Sequence, residues 1–413
     1  MMSLADGDYE RMLDMIVEKA KVGEYGLNDI NKIKQMLFSN MSYGEQEFKK
    51  KKICAFDGCS NCSIKNSHTL AKSTSLKEIA ELNHVYHPTF VKVYPVKNDI
   101  YTMERLGIGE ASGFPGFCIE HEKMFLDFEK SGVFDTPNQV LKQTYRSVCR
   151  SVAIRERIIF QHEDLLKKYF INRSQDAYEE MSNIVNSSHV HLESLTIKGD
   201  DIISIAIRNK LIEQRELLGK LIDFKLTMCS MLNKEEGDII INAVNTDVVF
   251  PVAVCGFTVC TKEDKSDLIF MNVVPSKNST LVAMVFKESV IEEVERYIEN
   301  GLETPLGILN MIESMMINGT DDWYIRPSVW DSLEESRKKD ILREMFVTKR
   351  SIYDNTKYSI FDDIRVILIE EMKSYGEEYA IIKMEKDKLI YRANITDEQV
   401  EERKQDIMNQ KII

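Results

Sequence analysis

The stretch CAFDGCSNCSIKNSHTL, residues 54–70, places three of the chain's eight cysteines within nine positions and carries His68 between Ser67 and Thr69 near its end. Eight cysteines in 413 residues are too few for a disulfide scaffold, so their clustering tells more than their number. Cys54 and Cys59 are separated by four residues with Gly58 in the turn; far downstream Cys118 and His121 are separated by two, at the start of a helix. Two soft ligands from a turn and two from a helix N-terminus can complete a tetrahedron around zinc. Cys62 is an alternative second ligand, and the spacing to Cys54 does not choose between it and Cys59. Between the two pairs, Ser67-His68-Thr69-Leu70 lies in a segment that can form a hairpin behind the first knuckle. A zinc-stapled hairpin followed by a helix is the ββα-metal arrangement, in which a hairpin histidine activates water and a helix side chain holds a divalent cation on the scissile phosphate. His68 is then the candidate general base; the alternative is a neutral histidine hydrogen-bonded within the hairpin. Glu122 is the candidate Mg²⁺ or Mn²⁺ ligand, since hard cations prefer carboxylate oxygen. Its alternative is a helix-start carboxylate stabilised by the macrodipole.

Around this core, residues 48–77 hold seven lysines and one aspartate, a local balance of +6 in a chain whose formal net charge is −13. That acidic total argues against bulk-charge coating of nucleic acid, so any such site must be local. The run Lys49, Lys50, Lys51 and Lys52 is the candidate phosphate contact, or else a solvated connection. His84 and His87 either join the site or sit at the surface, and the surface is the expected place. Glu129 reads as a solvated charge. In Ser188-His189-Val190-His191-Leu192-Glu193 the alternation could chelate a metal on a strand, but a polar strand edge or linker is the expected reading.

Further out, Asp8 to Met41 reads as two short helices, and Glu122 to Glu129 as a helix with Met124, Phe125 and Phe128 inward. Thr136-Pro137 can open a long helix, because threonine accepts from first-turn amides and proline suits the first helical position. Its apolar stripe from Leu141 to Tyr169 predicts a helix to about Phe170, with Arg146, Arg150, Arg155 and Arg157 making the remaining surface basic. A second stripe, Ile203 to Leu226, predicts its partner in an antiparallel hairpin or bundle, packed within the chain or in a homodimer. From Asp238 the period changes to four short β-branched runs, an antiparallel meander. Helices follow at 291–299, 306–316 and 328–345 with more in the tail, a turn at 318–323, and Trp323 and Trp330 as anchors.

The expected class is therefore α+β, in five segments: N-terminal helices (1–47), a zinc domain (48–135), long helices (136–233), a β-meander with helices (234–346) and a helical tail (347–413). No apolar run spans a bilayer and the N-terminus lacks a signal-peptide pattern, so a cytoplasmic protein without a membrane partner is expected. Phosphate-loop and nucleophile-elbow motifs are absent.

The pattern CAFDGC … IKNSHTLAKSTSLKEIAELNHVY … GIGEASGFPGFCIEHEKMFLDFE, over roughly Ile53 to Glu129, resembles a group of bacterial proteins with an HNH-like zinc domain, and through its knuckles and histidine it resembles the HNH nucleases. The resemblance implies a treble-clef fold, structural zinc on Cys54, Cys59, Cys118 and His121, His68 as general base, and metal-dependent cleavage of DNA or RNA, in the setting of bacterial phage defence. Three departures stand out: His121 replaces the last zinc cysteine, Glu122 stands where a metal-binding histidine is usual, and no middle asparagine precedes Gly116. These departures suit a second expectation, a non-catalytic zinc module that binds nucleic acid or a protein partner.

Overall fold

The computed structural model describes residues 52–90, 101–187, 202–262, 265–347, 351–354, 356–374 and 379–389, with scattered positions between 35 and 50. The two N-terminal helices expected over Asp8–Met41 and the histidines of 188–193 lie largely or wholly outside these residues.

Strand β1 is only Ser67–His68, and it is followed by a π-helical turn, Lys72–Leu76, that runs into α1, Lys77–Ile79. Strands β2 (His84–Phe90) and β3 (Tyr101–Gly107) come next, then β4, Gly113–Phe114, which pairs antiparallel with β1. Helix α2 (Ile119–Glu122) continues through a 3₁₀ turn into α3, Leu126–Ser131, which ends on Gly132 in the left-handed region. Phe125 and Phe128 face inward and Met124 is half-buried.

Helix α4, Pro137–Ser187, starts where the Thr136-Pro137 pair places it: the Gln139 amide donates to Thr136 Oγ1 at 3.4 Å. It runs 51 residues, well past Phe170. Helix α5 is Ile202–Leu232 and packs antiparallel on α4 within the same chain, with Arg215 paired to Glu163 at 2.6 Å. The arginines expected on the α4 surface are buried instead, Arg146 and Arg150 completely. A helix covered by α5, the sheet and the segment from Cys54 to Phe128 has little surface to offer, so each guanidinium needs an internal partner. Arg150 donates to Asp322 at 2.7 Å and to Tyr324 Oη at 3.3 Å; Arg146 donates to Glu129 and packs over the Phe125 ring.

Strands β5 (Ile239–Thr246), β6 (Val252–Lys262), β7 (Lys265–Pro275), β8 (Thr280–Lys287) and β9 (Trp323–Ile325) join β2 and β3 in one seven-stranded antiparallel sheet, ordered β3-β2-β9-β6-β7-β8-β5. Two features differ from a simple meander. First, β5 pairs with β8 rather than β6. The crossover must span three strand spacings, about 14 Å, which five extended residues can cover at about 17 Å; Thr280 Oγ1 pins it by donating to the Val248 carbonyl and accepting from the Phe250 amide. Second, the 318–323 segment is a π-helical turn, Met315–Gly319, leading into β9, which bridges β6 to β2. Both tryptophans are buried there, ring centroids 6.2 Å apart.

Helices α6 (Ile291–Leu302), α7 (Pro305–Ser314), α8 (Pro327–Asp331), α9 (Glu335–Val347), α10 (Asp362–Ser374) and α11 (Tyr379–Leu389) complete the described chain. Alternate residues of the sheet feed two cores. Val252, Val254, Met284 and Phe286 pack with α6, α7 and α9, whereas Ala253, Cys255, Ala283 and Val285 pack with α4, α5 and the segment from Cys54 to Phe128. Burial on both faces makes the central strands read as unbroken apolar runs. A polar residue among them, Asn272 of β7, is satisfied by Ser147 and Thr144 of α4, each at 2.9 Å. The chain is thus a mixed helix and antiparallel-sheet protein, and among its described residues no helix is long and apolar enough to cross a membrane.

Candidate metal centre and adjoining cleft

The knuckle is a small hairpin: the Cys54 amide donates to the Asn61 carbonyl at 2.8 Å and Ile53 bridges Cys62. Gly58 sits at φ +74°, a conformation the turn needs and side chains resist. The second ligand pair is drawn to the first by the Ala55 amide on the Gly116 carbonyl, 2.8 Å, and the Ile64 amide on the Phe117 carbonyl, 2.7 Å. A Cβ at Gly116 would come within 2.5 Å of the Phe114 ring, so the close approach requires glycine. Cys118 then occupies the N-cap of α2 and His121 the first turn.

The ligand atoms of Cys54, Cys59, Cys118 and His121 all lie within 4.8 Å of one another. A zinc tetrahedron with ordinary bond lengths has edges of about 3.8 Å between sulfurs and about 3.6 Å between sulfur and nitrogen. Here Cys59 Sγ and Cys118 Sγ are 3.9 Å apart, and His121 Nδ1 is 3.4 Å from both Cys54 Sγ and Cys118 Sγ. The four side chains are close enough to hold a metal ion. Cys62 is exposed and outside this group, so Cys59 is the residue that completes it. Around the cluster, the Phe56 ring stacks on the His121 imidazole at 4.1 Å, and the Cys118 amide donates to Cys54 Sγ at 3.3 Å. The His121 amide and, less strongly, that of Glu120 hold the Cys118 thiol down to about 6, while burial pushes Cys54 up to about 11. A bound cation would take both as thiolates.

Beside the cluster, β1, the π-helical turn and helices α1 to α3 contribute the walls of a cleft of about 350 Å³, lined among others by Asn66, His68, Lys72, Lys77, Glu122 and Glu129; the local hairpin expected around His68 does not form, because β1 pairs with the distant β4, His68 opposite Gly113. His68 Nδ1 lies 2.9 Å from the Ala111 carbonyl. A carbonyl only accepts, so Nδ1 carries the proton and Nε2 of the neutral ring is the basic nitrogen. Burial lowers the His68 pKa from its ordinary value, which keeps the ring neutral at pH 7. Glu122 is half-buried; Ser67 hydrogen-bonds the carboxyl group while Oε1 is buried with no partner. Ser67 also accepts from the Phe117 amide at 2.9 Å, tying β1 to the segment that leads into α2. The cleft therefore brings together the two residues that sequence spacing singles out for chemistry.

His87 is not at the surface: it is fully buried, stacked on Tyr324 at 4.9 Å with Nδ1 2.9 Å from the Trp323 carbonyl. His84 is half-buried and donates to the Leu82 carbonyl, away from the cleft lining. Glu129 is paired with Arg146 rather than solvated. Of the lysine run, Lys49 and Lys50 are exposed, Lys52 lies 3.5 Å from Glu156, and Lys51 is outside the described residues. Sequence reasoning missed Asn66, Lys72 and Lys77. Asn66 Nδ2 donates to the Gly109 carbonyl at 2.7 Å, tying the β1 end to the glycine-containing loop; its position two residues before His68 was the available signal.

Comparison with protein-family models, with curated proteins and with solved structures yields no match.

Proposed function

We propose that this chain is a metal-dependent nuclease of the HNH-like type, with the Cys54, Cys59, Cys118 and His121 cluster holding a structural zinc in a treble-clef scaffold. The observation that carries the reading is that one cleft is lined both by a neutral histidine whose Nε2 is basic and by a carboxylate, Glu122, whose buried Oε1 has no protein partner. Zinc is the metal that suits three thiolates and one imidazole in a closed tetrahedron, and such sites contribute folding energy rather than chemistry. In this mechanism His68 Nε2 takes a proton from water as the oxygen attacks phosphorus. The phosphorus–oxygen bond to the leaving strand breaks, and solvent protonates the departing oxygen. A divalent cation on Glu122 would neutralise charge on the phosphoryl and leaving oxygens.

A second reading, a zinc-stapled binding module, draws on the commitment of Glu129 to Arg146, which leaves Glu122 as the one unpaired carboxylate lining the cleft. The two separate in one assay. Purified full chain is incubated with plasmid DNA and with structured RNA in added Mg²⁺ or Mn²⁺. Cleavage that requires the cation supports the nuclease; intact substrates under every condition overturn it in favour of the module.

A further inference from the structure

The wall of the cleft that holds Lys72 and Lys77 has a specific backbone. The Leu76 amide donates to the Ala71 carbonyl at 3.0 Å, an i to i+5 bond, across the π-helical turn Lys72–Leu76. In an α-helix, residues five apart are about 140° around the axis and face opposite ways. The wider turn brings such residues toward one side, and single π-turns are frequent at functional sites. Lys72 and Lys77 accordingly both line the cleft with His68, and both are exposed. Lys72 Nζ is placed over the loop between β3 and β4, 3.7 Å from the position a Cβ on Gly109 would take. Its charge reaches the His68 ring, where it opposes protonation. The opposing acidic wall is unequal to the lysines: Glu129 is neutralised by the buried Arg146, and only Glu122 is left. Ser73 adds a hydroxyl donor on the same wall.

We infer that Lys72 and Lys77 form the phosphate seat of the cleft, gripping the backbone of a nucleic-acid strand beside His68. This rests on the nuclease reading for what the seat serves, and it makes the two lysines positioning residues rather than catalytic ones. It also moves the local positive field from the Lys49–Lys52 run to the cleft itself. Each seated phosphate releases condensed counterions, so binding should carry a salt dependence that these two residues set.

The test is fluorescence anisotropy of a labelled single-stranded DNA oligonucleotide with the full chain, without added Mg²⁺ or Mn²⁺, over a series of salt concentrations. Lys72→Gln/Lys77→Gln should weaken binding about tenfold or more and reduce the slope of log affinity against log salt by about 1.4, two contacts on a single strand. Zinc content and melting temperature serve as folding controls. Binding that is unchanged in this variant, or that falls instead in Lys49→Gln/Lys50→Gln, overturns the inference, as does a wild-type chain that binds no oligonucleotide. Cleavage by the wild type with no loss in the double variant would defeat the seat and leave the nuclease standing. Lysine-dependent binding without cleavage would do the reverse.

Discussion

Two clusters of charged side chains, one on each side of the central sheet, differ in whether their polar atoms are satisfied. On the α7–α10–α11 side, Arg365 donates to Glu313 and Glu385, and to Asn310 Oδ1 at 2.9 Å and Ser359 Oγ at 3.2 Å. Lys388 joins at 2.9 Å to both Asn310 and Glu385, and Glu313 Oε1 accepts from the Ile360 and Phe361 amides. Arg365 and Glu313 are completely buried. Two cations meet two carboxylates with the carboxylate oxygens bonded, so nothing is offered to a ligand. On the other side, His68, Glu122, Lys72 and Lys77 line an open cleft, and the buried Glu122 Oε1 has no hydrogen-bond partner. The contrast separates charge bonded within the fold from charge left at an open cleft.

The largest effect expected is that of removing the zinc we propose at the Cys54, Cys59, Cys118 and His121 cluster. Stripping it from the full chain with a strong chelator should unfold the knuckle and lower the melting temperature by more than any single substitution outside the cluster, because structural zinc contributes on the order of 10 kcal/mol. Differential scanning calorimetry with metal analysis checks this; an unchanged melting curve after the metal is lost would show that the cluster does not hold the fold.

Next in size, Arg365→Ala strands Glu313 in the interior and should cost about 3–5 kcal/mol. Denaturant unfolding measures the loss, and cleavage below the new transition should be unaffected. A loss of cleavage in the folded variant would contradict the division between the two clusters.

A smaller, graded effect comes from acid. Burial holds His87 down to about 3 and His162 down to about 4. Their pKa values are lower folded than unfolded, so below about pH 6.5 the unfolded chain binds more protons and stability falls. Each contributes a slope of about 1.4 kcal/mol per pH unit, until the pH reaches its folded value. Urea unfolding of wild type and His87→Gln between pH 7 and 5 should show a shallower slope in the variant; parallel slopes would remove the buried histidine as the cause.

Much of the site was legible because it is local. The Cys-x₄-Cys and Cys-x₂-His spacings, the intervening Ser67-His68, and Glu122 one residue after His121 all record geometry within a few residues. The Thr136-Pro137 start and the two apolar stripes record helices for the same reason. What escaped depends on partners far along the chain. Arg150 looks like a surface cation until Asp322, 172 positions away, is placed against it. His87 looks exposed until β9 packs beside β2. β2 and β3 carry mixed polar and apolar residues, so their membership of the central sheet has no periodic signal of its own. Lys72 and Lys77 converge only through an i to i+5 turn, which a search at helical spacing passes over.

His68→Ala separates the structural role proposed for the metal cluster from the chemistry proposed for the cleft when zinc content, melting temperature and plasmid cleavage in Mg²⁺ or Mn²⁺ are measured on one preparation. One zinc per chain, an unchanged melting temperature and a fall in cleavage of about 10²–10⁴-fold are expected. Cleavage equal to that of the wild type in a folded, zinc-loaded variant would contradict that division of roles.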